Sequence, residues 1–171
     1  DWSELADRYL ERALPIGEIE VHSETLLRAA VKYGECIRHT LAMYQRLCEL
    51  RDSFDFEVSV DETDSPTTPF EHYFIANELL RGGVRFTSLA PRFIGRFEKG
   101  VDYLGDLAAL DRELALHAAV TRHFDSYKLS LHSGSDKFSV YPLIAKHWGD
   151  RIHVKTAGTS YLEALRTLAG I

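Results

Sequence analysis

Acidic and imidazole side chains follow two short apolar segments of the sequence. Asp61-Glu62-Thr63 comes directly after Val58-Ser59-Val60, and His132 comes directly after the segment 128–131. A carboxylate can bind a hard cation or transfer a proton, and a neutral imidazole is a good ligand for first-row metals. Only one of the two acids needs to face a site, and we favour Glu62. The alternatives are a surface acid and a hydrogen-bonded structural histidine.

Further polar side chains lie close to these candidates. Ser133, Asp136 and Lys137 follow His132 within five residues and surround a turn glycine, a density that is typical of functional loops. Arg92 follows another apolar segment, and its guanidinium could hold a substrate carboxylate through two parallel hydrogen bonds. A solvent-exposed arginine without a ligand is an equally good interpretation of Arg92.

The segment Thr156-Ala157-Gly158-Thr159-Ser160 precedes a predicted helix. Backbone N–H groups at a helix N-terminus attract phosphates and carboxylates, and Lys155 could add positive charge. The alternative is a well-capped helix that binds nothing. We expect Lys155 and Thr156 to contribute to an anion site.

The elements that must position these residues alternate between strands and helices. After helices at residues 3–13 and from Ser23 to about Glu49, four strands are predicted at Phe54–Val60, Val84–Leu89, Tyr127–Leu131 and Ile152–Thr156. The helices predicted to follow them span Pro69–Arg81, Phe93–Phe124 with breaks at Gly100 and Gly105, Phe138–Trp148, and Ser160–Ala169.

This alternation implies a parallel sheet, because parallel neighbours need crossover helices. Polar residues gather at the C-terminal ends of all four strands, and no Gly-x-Gly-x-x-Gly turn is present. Both facts favour a (βα)₈ TIM-type barrel over a doubly wound sheet. We therefore expect one α/β domain over residues 1–171, with a helical lead-in at 1–50 and four consecutive βα units at 54–171. The other half would come from a missing N-terminal part or from another chain, as in a homo-oligomer.

The composition excludes several classes of function. The chain has 171 residues and a net charge of −6, which argues against a nucleic-acid partner. No apolar run approaches the roughly 20 residues that cross a membrane, and the first residues do not resemble a signal peptide. Cys36 and Cys48 lie too far apart on one predicted helix for a disulfide, which fits a cytoplasmic protein. Because the sequence lacks an initiating Met, we expect a processed or excised piece.

Two motifs resemble the tagaturonate epimerase family. They are His132-Ser133-Gly134-Ser135-Asp136-Lys137-Phe138-Ser139-Val140-Tyr141-Pro142 and the segment that runs from His153-Val154-Lys155-Thr156 to Ala164. The resemblance implies a divalent metal cation and the interconversion of D-tagaturonate and D-fructuronate in hexuronate catabolism.

The resemblance also implies roles for the candidate residues. Glu62 would perform acid–base catalysis and His132 would bind the metal. The substrate hydroxyls or carboxylate would be held by the remaining candidates, which are Arg92, Ser133, Asp136, Lys137, Lys155 and Thr156. Two alternatives stay open: another metal-dependent barrel aldolase or isomerase acting on sugar acids, and a non-catalytic sugar-acid-binding module.

Overall fold

The computed structural model describes residues 1–11, 13–17, 19–156 and 161–170. Six helices and four strands lie in this part of the chain. In chain order they are α1 (Trp2–Tyr9), α2 (Ser23–Leu50), β1 (Glu57–Ser59), α3 (Pro69–Arg81), β2 (Ser88–Ala90), α4 (Leu107–Phe124), β3 (Lys128–Leu131), α5 (Tyr141–Trp148), β4 (Ile152–Val154) and α6 (Tyr161–Ala169).

The four strands form one parallel sheet in the order β1-β2-β3-β4. The predicted alternation of strands and helices is therefore confirmed. Because the strand order never reverses, crossovers of the usual right-handed kind place all connecting helices on one face of the sheet. The helices also contact one another in chain order, α2 with α3, α3 with α4, and α4 with α5.

The two faces of the sheet carry different side chains, as strand alternation requires. Val58, Leu89 and Leu129 are in register and almost fully buried in the apolar core that the helices cover. The positions next to them, Glu57 and Ser88, are polar and are in register with each other. The face opposite the helices is therefore the one that can carry chemistry.

Helix α3 begins where the sequence predicts, at a capping box. The Thr68 hydroxyl accepts a hydrogen bond from Glu71 N at 3.1 Å, and Glu71 Oε2 accepts one from Thr68 N at 2.8 Å, with Pro69 at the first helical position. The buried Glu71 carboxylate also receives the Lys32 ammonium at 3.1 Å. These contacts fix the helix that follows the Asp61–Glu62 turn.

The prediction of a helix that begins at Phe93 was wrong for residues 93–106. Helix α4 begins only at Leu107, where the Asp106 carboxylate accepts hydrogen bonds from Ala108 N and Ala109 N at 2.8 and 3.1 Å. The preceding residues form a long β2–α4 loop, residues 91–106. Gly95 and Gly100 have positive φ in this loop, a conformation that ends a helix. Helix α5 likewise begins at Tyr141 instead of Phe138, and the strands are shorter than predicted.

Two observations concern membrane spans and cysteines. None of the helices in the described residues is long and apolar enough to cross a membrane. Cys36 and Cys48 are both free thiols, as their separation on α2 predicts.

A buried pair of histidines lies in the helix layer. His72 Nδ1 and His117 Nδ1 are 2.9 Å apart, and the Tyr127 hydroxyl lies 2.8 Å from His72 Nε2. Burial lowers the pKa of both histidines, that of His117 to about 3, because a charged ring loses its hydration there.

This pair predicts a loss of stability in mild acid. Since the folded-state pKa lies below the ordinary 6.5, the unfolded chain binds more protons between pH 6.5 and about 3. The stabilisation is complete above pH 6.5 and falls by ~1.4 kcal/mol per pH unit for each histidine below it. Denaturant unfolding from pH 7.5 to 5.0 measures this slope. His117→Phe should reduce the slope and the exposed control His39→Phe should not; equal slopes in all three proteins would contradict the prediction.

Candidate active site

The carboxylate of Glu57 joins the four strands on the face opposite the helices. It accepts a hydrogen bond from Ser88 Oγ of β2 at 2.5 Å, and it lies 2.7 Å from His132 Nε2 just after β3 and 3.0 Å from His153 Nδ1 of β4. Burial alone would raise the pKa of Glu57, but these hydrogen bonds and one from Ser130 lower it to about 2. Glu57 is therefore ionised and is the centre of a polar network.

His132 lies between two carboxylates. Its Nδ1 is 3.1 Å from Asp61 Oδ2 while its Nε2 contacts Glu57, and its side chain is 7% exposed. Each ring nitrogen of His132 is thus within hydrogen-bond distance of a carboxylate oxygen, and these two contacts fix the orientation of the ring. The Ser59 hydroxyl donates to the other oxygen of Asp61. The network thus extends from the middle of the sheet to its C-terminal edge.

Backbone hydrogen bonds hold the end of β1 against β2 and the end of β3 against that of β4. Val60 N donates to Ala90 O at 2.9 Å, so Asp61 is the first residue beyond the strand pairing. Gly134 N donates to Lys155 O at 3.0 Å, and a Cβ atom at position 134 would lie 2.5 Å from Val154 Cγ1. A glycine at this position allows the β3 and β4 loops to approach each other.

Two adjacent cavities meet at Asp61, His132 and Ser133. The first, about 290 Å³, is enclosed by Pro91 to Phe93 and Gly95 to Glu98 of the β2–α4 loop, and the second is about 260 Å³. The second is completed by Ser59, Glu62, Lys99, Ser135, Lys155 and Thr156. These volumes are close to the lower limit of about 300 Å³ for small-molecule sites. Each cavity has two basic and two acidic side chains, so the basic groups can bind the charge of a small hydroxylated anion.

The structure brings most of the predicted site residues together. Glu62, His132, Ser133, Lys155 and Thr156 all line the second cavity, and Arg92 lines the first. The expectation that polar side chains converge at one edge of the sheet is therefore confirmed. Their chemical roles remain predictions. Within the part of the chain that the structure describes, the acid of this turn that contacts His132 is Asp61, whose Oδ2 lies 3.1 Å from His132 Nδ1, and not the favoured Glu62.

Two predicted substrate contacts do not fit the structure. The Lys137 side chain is fully buried, and its ammonium donates to the carbonyls of Glu98, Val101 and Ser135 at 2.7, 2.6 and 2.9 Å, which leaves no donor for a substrate. Asp136 has positive φ and lies outside both cavities, and its buried Oδ2 has no hydrogen-bond partner among the described residues. In the predicted anion-binding turn, residues 157–160 lie outside the described residues.

Neither Glu57 nor His153 was predicted to be a site residue, because both lie within strands and not beyond the strand ends. Strand alternation could have identified them. Glu57 and His153 are next to Val58 and Val154, which point to the helices, so Glu57 and His153 must point to the opposite face of the sheet. Arg96 and Lys99 were not predicted to be site residues because they lie in a segment predicted to be helical. In the structure this segment is a loop that brings both side chains to the cavities.

A family comparison covers nearly the whole chain. The model of the tagaturonate epimerase family matches residues 2–171. The chain belongs to this family. A tagaturonate/fructuronate epimerase from Thermotoga maritima is 56% identical over 155 residues, which are 90% of this chain and 32% of that protein.

Solved structures agree with the sequence match. The native crystal structure of the fructuronate-tagaturonate epimerase UxaE from Cohnella laeviribosi superposes with a TM-score of 0.91 at 45% identity, over 98% of this chain and 34% of that one. A glycerol complex of the same enzyme gives a TM-score of 0.90 at the same identity and coverage. The chain thus spans about a third of the length of the relatives it matches.

The network around Glu57 predicts a specific loss of stability. Glu57→Gln removes the charged acceptor that Ser88, His132 and His153 share, which should lower the free energy of unfolding by about 1–3 kcal/mol at pH 7. Asp55→Asn, an exposed acid two residues earlier, is the matched control and should have little effect. Denaturant unfolding measures both variants. Equal stabilities for Glu57→Gln and Asp55→Asn would refute the importance of the network.

Proposed function

We propose that this chain supplies part of the active site of an epimerase that interconverts D-tagaturonate and D-fructuronate in hexuronate catabolism. The observation that supports this function best is the junction, at the His132–Asp61 pair, of two cavities that each contain two basic side chains beside two acidic ones. A keto-uronate has a carboxylate that basic side chains can bind and hydroxyls that the surrounding serines and threonine can bind. The names of the relatives agree with this substrate.

We propose that the sheet is part of a closed (βα)₈ barrel. In the described residues, β1 and β4 each pair with one neighbour only, so both edges have unpaired backbone groups. Exposed parallel edges invite association, and barrel closure removes them. Further strand–helix units, from additional sequence or from another copy in a homo-oligomer, would cover the polar face and complete the site. The enzyme would act in the cytoplasm on a small sugar acid, without a nucleic-acid or membrane partner.

The donor chemistry of the network fits the expected divalent cation. His132 and His153 supply imidazoles and Glu57 a carboxylate, a set that first-row metals favour. The contacts of Glu57 with the two rings, 2.7 and 3.0 Å, are close to the ~3 Å between adjacent donors at metal-ligand distances of ~2.1 Å. Within the described ranges, no three such side chains already form a metal cluster. Side-chain adjustment and ligands from the remaining units would complete the site.

The two keto-uronates differ at a carbon β to the ketone, so removal of an α proton alone does not invert that carbon. Retro-aldol cleavage with re-closure and stepwise enolisation are the two routes, and both need an acid–base group. A bound cation would act as a Lewis acid that polarises the ketone. Glu62 is the candidate acid–base group, because its exposed carboxylate lines the second cavity. Asp61 would orient His132.

The substrate would lie across the junction of the cavities. Arg92 lines the first cavity and is only partly buried, so its guanidinium can donate to a carboxylate from there. Lys155 and Thr156 line the second cavity and can hold hydroxyls, with Ser133 between the two cavities.

Replacement of Glu62 tests the acid–base role. Glu62→Gln in the complete enzyme should reduce kcat by about 10²–10⁴-fold, because the amide cannot accept and return a proton. Asp64→Asn, an exposed acid in the same turn, is the matched control and should leave kcat unchanged. Chromatographic separation of the two keto-uronates measures turnover.

Three outcomes would contradict parts of this proposal. A normal kcat for Glu62→Gln removes this residue from the mechanism. Accumulation of cleavage products without the epimer identifies an aldolase instead. Binding of the keto-uronate without any turnover by the complete protein identifies a non-catalytic module.

Metal analysis tests the ligand assignment independently of turnover. The complete protein should contain about one divalent cation per chain, and His132→Ala should lower the metal affinity at least tenfold, since a ligand is lost. His39→Ala replaces an exposed histidine on α2 and should retain the metal. Elemental analysis after equilibrium dialysis measures the metal content. Equal content in the two variants would remove His132 from the metal site.

A further inference from the structure

The β2–α4 loop carries basic side chains to both cavities. Arg96 lines the first cavity and Lys99 the second, three residues apart around the loop tip. The loop folds back on itself through an antiparallel bridge in which Arg96 and Leu104 exchange backbone hydrogen bonds of 3.0 and 3.2 Å. The loop therefore places a cation on each side of the His132–Asp61 pair, Lys99 at its tip and Arg96 at the bridge, where Arg96 Nε lies 3.5 Å from the carboxylate of Glu98.

The base of the loop is rigidly packed. The Tyr103 ring packs against Phe97, and its hydroxyl donates to Ile94 O at 3.2 Å. A Cβ atom on Gly95 would lie 2.3 Å from the Tyr103 hydroxyl, and Gly95 has φ of +81°. The base thus has one tightly defined conformation, but none of these contacts reaches the two residues at the tip between Glu98 and Val101.

Lys137 holds the tip. Its ammonium donates to Glu98 O and Val101 O on either side of Lys99 and Gly100, and its third hydrogen bond goes to Ser135 O of the β3–α5 loop. A fully buried ammonium with three carbonyl acceptors has all its donors satisfied and cannot move without losing them. Asp102 adds a second connection, accepting hydrogen bonds from Ser139 N and Ser139 Oγ at 3.1 and 2.9 Å.

We infer that Lys137 is a positioning residue that fixes Arg96 and Lys99 over the active site, so that these two cations select substrates with a carboxylate. This inference rests on the proposed function for the identity of the substrate. The hold of Lys137 on the loop tip, called the clamp below, rests on its hydrogen bonds alone. Lys137 acts through the loop without touching the substrate, and Arg96 and Lys99 determine specificity for the acidic sugar over its neutral counterpart.

Binding and proteolysis of the complete enzyme test this inference. Lys137→Met keeps the length of the side chain and removes the ammonium. The Kd for D-tagaturonate, measured by calorimetry, should rise about tenfold to a hundredfold, the equivalent of one lost charge-assisted interaction. The Kd for the neutral ketohexose D-tagatose should stay unchanged. Trypsin should cleave after Arg96 and Lys99 faster than in the wild-type enzyme.

A double-mutant cycle separates positioning from a general structural role. In an Arg96→Gln/Lys99→Gln background, Lys137→Met should cause little further loss of D-tagaturonate affinity, because the residues through which it acts are gone. Additive losses would overturn the inference, as would equal weakening of D-tagaturonate and D-tagatose. Asp102→Ala loosens the same loop and should weaken D-tagaturonate binding in the same direction. If Lys137→Met does not fold, Asp102→Ala serves as the test variant.

The two proposals fail in different ways. A wild-type enzyme that does not bind D-tagaturonate would overturn the proposed substrate, but the proteolysis comparison would still support or reject the clamp. Unchanged trypsin cleavage after Arg96 and Lys99 in both Lys137→Met and Asp102→Ala would reject the clamp whatever the enzyme acts on.

Discussion

The structure depends on one constraint, a carboxylate on the face of the parallel sheet that the helices do not cover. Glu57 lies inside a strand, where an ionised group is costly unless hydrogen-bond donors surround it. Ser88, His132 and His153 supply those donors from the other three strands or directly after them. The same contacts that satisfy this charge fix the rotation of His132, and through it the position of Asp61. Strand register and site geometry are therefore coupled.

The opposite face of the sheet makes this arrangement possible. Val58, Leu89 and Leu129 are buried in one register row beneath the helices and supply the hydrophobic stabilisation of the sheet. Because alternate residues point to opposite faces, every apolar residue directed to the helices directs its neighbours to the other side. The pleat of the strands therefore places the residues that stabilise the sheet on one face and the polar residues of the site on the other.

Lys155 and Lys137, two of the lysines near the site, show that the position of a side chain determines its role. Lys155 lies at the exposed end of β4 and lines a cavity, so its ammonium is available to an anion. Lys137 is buried among three carbonyls and holds two loops together. Both follow strands within a few residues and are indistinguishable by residue type. The three carbonyls around the Lys137 ammonium make it a structural group, whereas the exposed Lys155 ammonium can bind a ligand.

Much of the fold and part of the site could be predicted from the sequence. Short β-branched segments and helical periodicity placed the strands and the Thr68 capping box, because these signals are local. The convergence of Glu62, His132 and Lys155 also followed, since parallel strands end at a common edge.

Only the tertiary structure decided which groups touch. The contacts of Glu57 with His132 and His153 join residues 75 and 96 positions apart, and no local pattern specifies such pairs. The β2–α4 loop was not predicted because its residues 93–106 resemble a helix in composition. Glycines with positive φ, the packing of Tyr103 and the hydrogen bonds of Lys137 override that local preference. The sequence determined the elements and the chemical types at the strand ends. Packing between distant segments determined the partners, because burial and hydrogen bonding depend on the whole fold.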